Sequence, residues 1–545
     1  MENNNQELNK VNDKKILNNK LFLYLTEFFA GMSLMAIEIG AQRLLAPYFS
    51  SSQIVWTIVI GTIMIAMALG NIYGGRKADK DPNPNHLYAR LIIAGTWIAL
   101  IPWLGKYVIA GLSAILIFAV NAGYLIVASV ASCIVLFIFP LFLLGTTTPS
   151  LAKYITKSIA DSGKIVGYLN AYNTIGSIIG TFLPTFVTIP TIGTNLTFLI
   201  FASILLALAF IYFISCKVFQ VKMVVAIIAL ILGAIFGYKS NFAFWRNDLK
   251  FEGESTYNYL QVYEDEYEVS LSTNVLFGVQ SVYFKSDDLR RTYYYDCDLI
   301  VPLMADYYLD EKADILILGM GSGTYATRLK HFFPNANITG VEIDEKITKL
   351  AYDYFYLDEN IKVYTYDGRA FLNATSDKYD IIMVDAYQDI TIPFQMSSIE
   401  FFILVKDHLK DNGVLVTNLN MRSDEEGNIN QYLCDTIANV FSINYYYNVP
   451  YSTNRELYSS NNPQLMAFLN DNLFFVKDEK LKLFLKDVSD NLVYYEKTNY
   501  LFTDDKAPVE LLGIAVIDKE INKSVEYYRE IYKEKGIKGL LEYLD

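Results

Sequence analysis

The sequence predicts a multi-span α-helical membrane domain, then an α/β domain on a mostly parallel sheet that opens with a small β-rich lobe. Three observations predict this. Hydrophobic residues make up 53% of the 545-residue chain, and their excess lies before about residue 240. The mean hydropathy of +0.24 is too apolar for an ordinary soluble enzyme. From Ala313 onward, short apolar runs that end in Gly or an acid alternate with helical stretches, the pattern of strand–helix units. Between the two halves, STYNYLQVYEDEYEVSLSTNVLFGVQSVYF alternates apolar and polar residues around turn signals, which reads as a small antiparallel sheet. The expected boundaries are a cytoplasmic tail over 1–20, the membrane domain over 21–240, a linker over 241–254, the β-rich lobe over 255–300 and the α/β domain over 301–545.

The net charge of -13 lies mostly in acids of the second half. That argues against a nucleic-acid partner, which needs a basic face, and is compatible with a cationic small molecule. Cys133, Cys216, Cys297 and Cys434 are not closely spaced and read as thiols in a reducing compartment. His86, His331 and His408 lie far apart, so neither a His-rich metal site nor a Ser-His-Asp triad is expected, and no metal is assigned.

In the first half, apolar segments run at roughly 21–46, 54–74, 87–105, 107–121, 124–148, 165–189, 194–215 and 221–239. Most approach the ~20 residues that a spanning helix needs, which gives about seven or eight spans. The first apolar run is too long for a signal peptide. Arg76, Lys77 and Lys80 place their loop on the cytoplasmic side. Eight spans would return the C-terminal domain to the cytoplasm. Lys153, Lys157 and Lys164 disagree with that count, since dropping the short fourth segment would put them inside and the C-terminal domain outside. The expected location is the plasma or inner membrane, multi-pass, with a cytoplasmic C-terminal domain. Glu27 and Glu38 fall nearly on one helix face at about 100° per residue. They are read either as a cation or proton path or as buried and interfacial structural groups.

In the second half, DILILGMGSGTYATRL places a strand before a turn containing Gly319, Gly321, Ser322 and Gly323, with a helix from about Tyr325. Such a turn lets the backbone approach a ligand closely. The next strand ends at Glu342 and Asp344, where an acid commonly binds ribose hydroxyls. Asp344 could instead cap the following helix, and Ser322 and Thr324 could do the same for theirs. Asp367-Gly368 and Asp385 end the two strands that follow.

These motifs, in this order, resemble the nucleoside-binding half of the spermidine synthase (aminopropyltransferase) family, which has the class I methyltransferase, Rossmann-like fold. The resemblance implies that Glu342 holds the ribose of decarboxylated S-adenosylmethionine and that Asp367-Gly368 holds its adenine amino group. It implies that Asp385 helps to deprotonate the attacking amine. The family's D-x-x-D is one residue longer here, Asp385 to Asp389, with Tyr387 and Asp389 lining the loop. Its Tyr-Gln resembles Tyr257-Asn258, and its Tyr-His-Glu resembles Tyr295-Asp296-Cys297. The stretches IEIGAQRLLAPYF and GYLNAYNTIGSIIGTFLPTFVTIPTIG resemble the membrane domain of fused spermidine synthase-like proteins, which is compared to half of a major-facilitator transporter. The implied partners are an amine such as putrescine, the adenosyl donor as co-substrate without a tightly bound cofactor, and a lipid bilayer; a homodimer is left open. Two other readings stand beside this one: a methyltransferase using S-adenosylmethionine, and a polyamine transporter or sensor whose adenosyl-binding domain regulates it.

Overall fold

The computed structural model describes residues 15–49, 53–120, 123–156, 162–239, 241–246, 248–275, 279–307, 312–386, 392–420, 422, 423, 425–513 and, near the end, 515, 516, 519, 526, 527, 529–531 and 533–536. The chain divides into two compact units. The first comprises Met1–Asn247, Glu252–Tyr259 and Asn274–Phe277, and the second comprises Asp248–Phe251, Leu260–Thr273 and Gly278–Asp545.

The first unit is helical. Its helices are α1 (Lys20–Phe49), α2 (Gln53–Lys80), α3 (Pro84–Ala119), α4 (Tyr124–Cys133), α5 (Phe139–Gly145), α6 (Thr147–Ile155), α7 (Ser162–Leu183), α8 (Ile189–Ser215) and α9 (Val221–Gly237). Among the described residues, five helices are long and apolar enough to cross a membrane. They are Lys20–Phe49, Val55–Lys80, Pro84–Leu116, Tyr124–Ile155 and Ser162–Ser215. The last has 54 residues, enough for two crossings at ~20 each, and it breaks at Gly193, where φ is 84°. The apolar segments expected separately at 87–105 and 107–121 are one helix, α3. The charge at Lys106 does not end it, because the side chain is buried with its Nζ 5.2 Å from the Tyr107 ring and 5.8 Å from that of Phe244.

α1 packs along α7 at backbone distance. A Cβ on Gly176 or Gly180 would overlap the backbone of Phe28 and Met32, so these glycines make the close helix contact. That contact brings Asn173 to Glu27. The fully buried Glu27 carboxylate accepts from Asn173 Nδ2 at 2.8 Å and from Thr148 Oγ1 at 2.5 Å. Glu38 is only half-buried. At the other end of α1, Tyr48 donates to the Phe242 carbonyl at 2.8 Å, and Arg43 donates to the carbonyls of Ser255 and Thr256. Glu254 accepts from Thr194 N at 2.8 Å and from its Oγ1 at 2.5 Å.

The second unit carries the larger sheet. A four-stranded sheet, β1 (Leu249–Glu254), β2 (Tyr259–Glu264), β3 (Glu268–Ser272) and β4 (Ser281–Phe284), lies in that order. Its first strand falls in the stretch expected to be linker. The short helices α10 (Tyr294–Cys297) and α11 (Val301–Met304) follow. The alternating units are then β5 (Asp314–Leu318), α12 (Thr324–Phe332), β6 (Asn337–Glu342), α13 (Glu345–Tyr354), β7 (Lys362–Thr365), α14 (Gly368–Ala374), β8 (Tyr379–Val384), α15 (Ile399–Asp407) and β9 (Leu409–Leu419). After α16 (Ile429–Ala438) come β10 (Ile443–Asn448), β11 (Arg455–Ser460), α17 (Leu465–Phe475), α18 (Glu479–Asp490) and β12 (Val493–Tyr494).

The large sheet has the order β12-β10-β11-β9-β8-β5-β6-β7. β7, β6, β5, β8 and β9 are parallel neighbours, and β11, β10 and β12 extend the sheet antiparallel. The chain leaves β5 toward β6 and β7 and returns to β8 on the other side. The β5/β8 boundary is therefore the switch point at which such sheets bind ligands, beyond the strand carboxyl ends. β5 and β8 are buried almost throughout, as their continuous Ile, Leu, Met and Val runs require.

Candidate active site

The glycine turn follows β5 at the switch point. Gly319, Gly321 and Gly323 have φ of 85°, 54° and 74°, in the left-handed region that side chains disfavour. At Gly319 space matters as well: a Cβ there would lie 2.6 Å from the Ala386 Cα. Glycine thus lets the turn after β5 sit against the chain leaving β8. Ser322 is buried and shares a 2.7 Å hydrogen bond with Thr324 Oγ1 at the start of α12.

Glu342, at the end of β6, is braced by this turn. Its Oε2 accepts from Gly321 N at 2.9 Å and its Oε1 from Asp344 N at 3.0 Å. A carboxylate has about four lone-pair sites, so about two remain for ligand hydroxyls. Burial pushes its pKa up to about 6, against the pull of those backbone N–H groups. Asp344 caps α13, accepting from Lys346 N at 3.1 Å. Asp367 caps α14 in the same way, through Ala370 N at 2.8 Å, with Gly368 as the first helical residue.

Asp385 follows β8 directly. Its backbone N–H donates to the Leu318 carbonyl at 2.9 Å, which extends the β5–β8 pairing. Its Oδ2 accepts from Tyr294 OH at 2.7 Å and its Oδ1 from Asn418 Nδ2 at 2.8 Å. Asn418 Oδ1 accepts in turn from Asn454 Nδ2 at 2.7 Å, which fits an amide turned with its NH2 toward Asp385. Burial raises the Asp385 pKa to about 7. The bonds from Tyr294 and Asn418 pull it down, and the Glu342 charge pushes it further up. A carboxyl titrating there suits general-base work near neutrality.

The other expected residues divide. Tyr295 lies against Tyr294, with ring centroids 4.0 Å apart and the planes tilted by 38°, and its hydroxyl lies 3.4 Å from Ser281 Oγ. It is Tyr294, one residue earlier, that reaches Asp385. Asp296 is fully buried and engaged: its Oδ1 accepts from Arg328 Nε at 2.7 Å and its Oδ2 from Arg290 N at 2.8 Å. Tyr257 and Asn258 belong to the first unit, where both backbone N–H groups donate to Ser255 Oγ at 3.1 and 2.9 Å. Tyr387 and Asp389 lie outside the described residues. Asp504 accepts both Arg369 Nη groups at 2.7 Å and Ser398 Oγ at 2.5 Å.

Four groups at this site lie outside the sequence expectation: Tyr294, Asn418, Asp298 and Glu456. The last two are fully buried behind Asp385. The only available sign of Tyr294 was the run of three tyrosines from Tyr293 to Tyr295. Among the described residues, no group of three or more His, Cys, Asp or Glu is arranged to hold a metal ion.

Comparison with known proteins adds to this geometry. The model of the spermine/spermidine synthase domain matches residues 300–462. A Bifidobacterium longum (strain NCC 2705) protein named "Probable polyamine aminopropyl transferase" is 47% identical over 351 residues, covering 61% of this chain and 77% of that protein. The polyamine aminopropyltransferase of Vibrio vulnificus (strain CMCP6) is 29% identical over 187 residues, covering 33% of this chain and 62% of that protein. A crystal structure of a "probable spermidine synthase" from Corynebacterium glutamicum ATCC 13032 matches at 18% identity with a TM-score of 0.34, covering 46% of this chain and 98% of that one.

Proposed function

The chain belongs to the polyamine aminopropyltransferase (spermidine synthase) family, and from that premise we propose a membrane-anchored enzyme that moves an aminopropyl group from decarboxylated S-adenosylmethionine to an amine such as putrescine. The observation that carries this reading is Asp385, held by Tyr294 and Asn418 beside the glycine turn and Glu342. In this reading the glycine turn and Glu342 take the nucleoside, and Asp367-Gly368 takes its adenine edge. The acceptor arrives as an ammonium, which has no lone pair. Asp385 accepts its proton, and the freed nitrogen attacks the carbon joined to the donor's sulfonium. A C–N bond forms, the C–S bond breaks, and its electron pair leaves on sulfur as neutral methylthioadenosine. Holding both reactants in line is the larger part of the catalysis.

The rival donor, S-adenosylmethionine, carries an extra carboxylate. Asp385, ionised in its working form, would repel it. Calorimetric titration of the full-length protein with both donors tests this choice. Tighter binding of the decarboxylated donor supports the aminopropyl reading, and tighter binding of S-adenosylmethionine moves the assignment to methyl transfer. In the same titration Glu342→Gln is expected to weaken the decarboxylated donor by ~10–100-fold, the range for a charged hydrogen-bonding partner. An unchanged affinity would remove Glu342 from the nucleoside site.

The pH dependence follows from Asp385. The carboxylate is the competent form, so kcat/KM for the acceptor should rise with pH through about 7 and level off above it. The Asp385→Asn variant should lose that limb. A profile flat from pH 5 to 9 would contradict the base assignment.

The side of the membrane is a separate question. A cytoplasmic catalytic half agrees with where adenosyl donors are found. The helical runs from Lys20 to Gly237 argue for the opposite side, because α3 is a single helix and the basic residues Lys80, Lys153 and Lys217 fall at alternate connections. Protease accessibility of the C-terminal half in intact and lysed cells decides between them.

A further inference from the structure

One buried acid of the helical unit has no part in the chemistry proposed for the catalytic half. Glu27 lies on α1, about 10 Å along the helix from Lys20 at ~1.5 Å per residue. That helix is apolar and long enough to cross a membrane. An acid at such depth is costly and marks function by default. Glu27 is 0% exposed.

Its hydrogen bonds are one-sided. Thr148 Oγ1 on α6 and Asn173 Nδ2 on α7 both donate to Oε1, at 2.5 and 2.8 Å. Oε2 is buried and has no partner among the described residues, and no Lys, Arg or His of those residues bonds the carboxyl group. Oε2 is unsatisfied in either protonation state. As part of a carboxylate it carries buried charge without a counter-ion. As the hydroxyl of a carboxylic acid it has a donor without an acceptor. A cation that brings its own N–H donors removes both deficits.

The approach to this carboxyl group is polar and aromatic. Thr148 and Asn173 are only half-buried, so Glu27 lies one side chain below an opening. Tyr24, one helical turn before Glu27, stacks on Tyr172 with ring centroids 5.1 Å apart and planes at 8°, and its centroid lies 5.9 Å from that of Tyr168. Tyr172 directly precedes Asn173. Residues three apart share a helix face, so the three rings gather on the Glu27 side of the α1–α7 contact, toward Lys20. Aromatic faces attract cations, and Lys164 already sets its Nζ 6.0 Å from the Tyr168 centroid.

The chemistry selects among cations. A hard metal ion takes about six oxygens, and one carboxylate oxygen, one hydroxyl and one amide fall short of that. A primary ammonium has three N–H donors, and its alkyl chain packs on the rings.

We propose that Glu27, with Thr148, Asn173 and the rings of Tyr24, Tyr168 and Tyr172, forms a binding site for a primary alkylammonium. All six residues belong to the first unit, so the site is distinct from Asp385 and its surroundings. It stands whether or not the aminopropyltransferase reading holds.

The test is equilibrium binding of radiolabelled butylamine to the full-length protein in nanodiscs of zwitterionic lipid, which does not collect amines by charge. The wild-type protein should bind one equivalent more than Glu27→Gln, a variant of the same shape in which this site is weakened by ~10–100-fold. Tyr172→Leu keeps the carboxyl group and should weaken the same site by ~3–10-fold. Equal numbers of sites in the wild-type protein and Glu27→Gln overturn the proposal. So does displacement of butylamine by equimolar sodium chloride, which makes this a metal-ion site. An unchanged affinity in Tyr172→Leu overturns it as well, because the rings then play no part. If a thermal melt shows Glu27→Gln unfolded, Tyr172→Leu and the sodium competition decide.

Discussion

Replacing Asp385 with Asn will lower turnover by ~10²–10⁴-fold, the usual contribution of a positioned base, and leave binding of the adenosyl donor almost unchanged. The substitution keeps the shape and the acceptor oxygen that Tyr294 donates to at 2.7 Å. It removes the charge that, in the proposed mechanism, collects a proton from the acceptor. The proposed nucleoside elements, Glu342 and the glycine turn, are braced by their own backbone bonds at 2.9 and 3.0 Å and do not depend on Asp385. The split between kcat and donor affinity is therefore the diagnostic. Steady-state kinetics paired with calorimetry of methylthioadenosine binding reads both. Full turnover in the variant would take Asp385 out of the mechanism.

Arg328→Ala will destabilise the catalytic half by ~3–5 kcal/mol, the cost of leaving one member of a buried ion pair uncompensated. Asp296 is fully buried, and the Arg328 side chain is 8% exposed at a separation of 2.7 Å. Arg328 also lies over the Phe332 ring at 5.3 Å, so the truncation removes packing as well. The melting temperature should fall by ~10 °C. Replacing both partners, as in Asp296→Asn with Arg328→Met, should recover part of the loss, because the uncompensated charge disappears with its partner. A double variant less stable than Arg328→Ala would show that the pair is not the source of the effect.

The local structure of the proposed nucleoside region was legible in the sequence, and the reason is that it is written locally. Gly319 to Gly323, Glu342, Asp367 and Asp385 each end a short apolar run. Strand, turn and helix cap are written within a few residues of one another, so the positions of these residues needed no tertiary information. The surroundings of Asp385, the proposed acceptor region, were not legible, because their contacts join distant segments. Asp385 takes one hydrogen bond from 91 residues upstream and another from 33 downstream. Glu456 reaches the site only through the antiparallel pairing of β11 with β9, and nothing in RELYSS announces that register. Within the tyrosine run, the turn of α10 decides which ring meets Asp385, and it selects Tyr294. In the helical half, Lys106 reads in the sequence as a break between apolar segments. The structure continues α3 through it because aromatic rings receive the lysine.

The most direct test of the central claim is a product assay. The full-length protein in lipid is incubated with putrescine and either decarboxylated S-adenosylmethionine or S-adenosylmethionine, and the amines are read by mass. The account predicts an aminopropylated product and methylthioadenosine with the first donor only, and none from the Asp385→Asn variant. A methylated product with the second donor, or tight donor binding without any product, would contradict it.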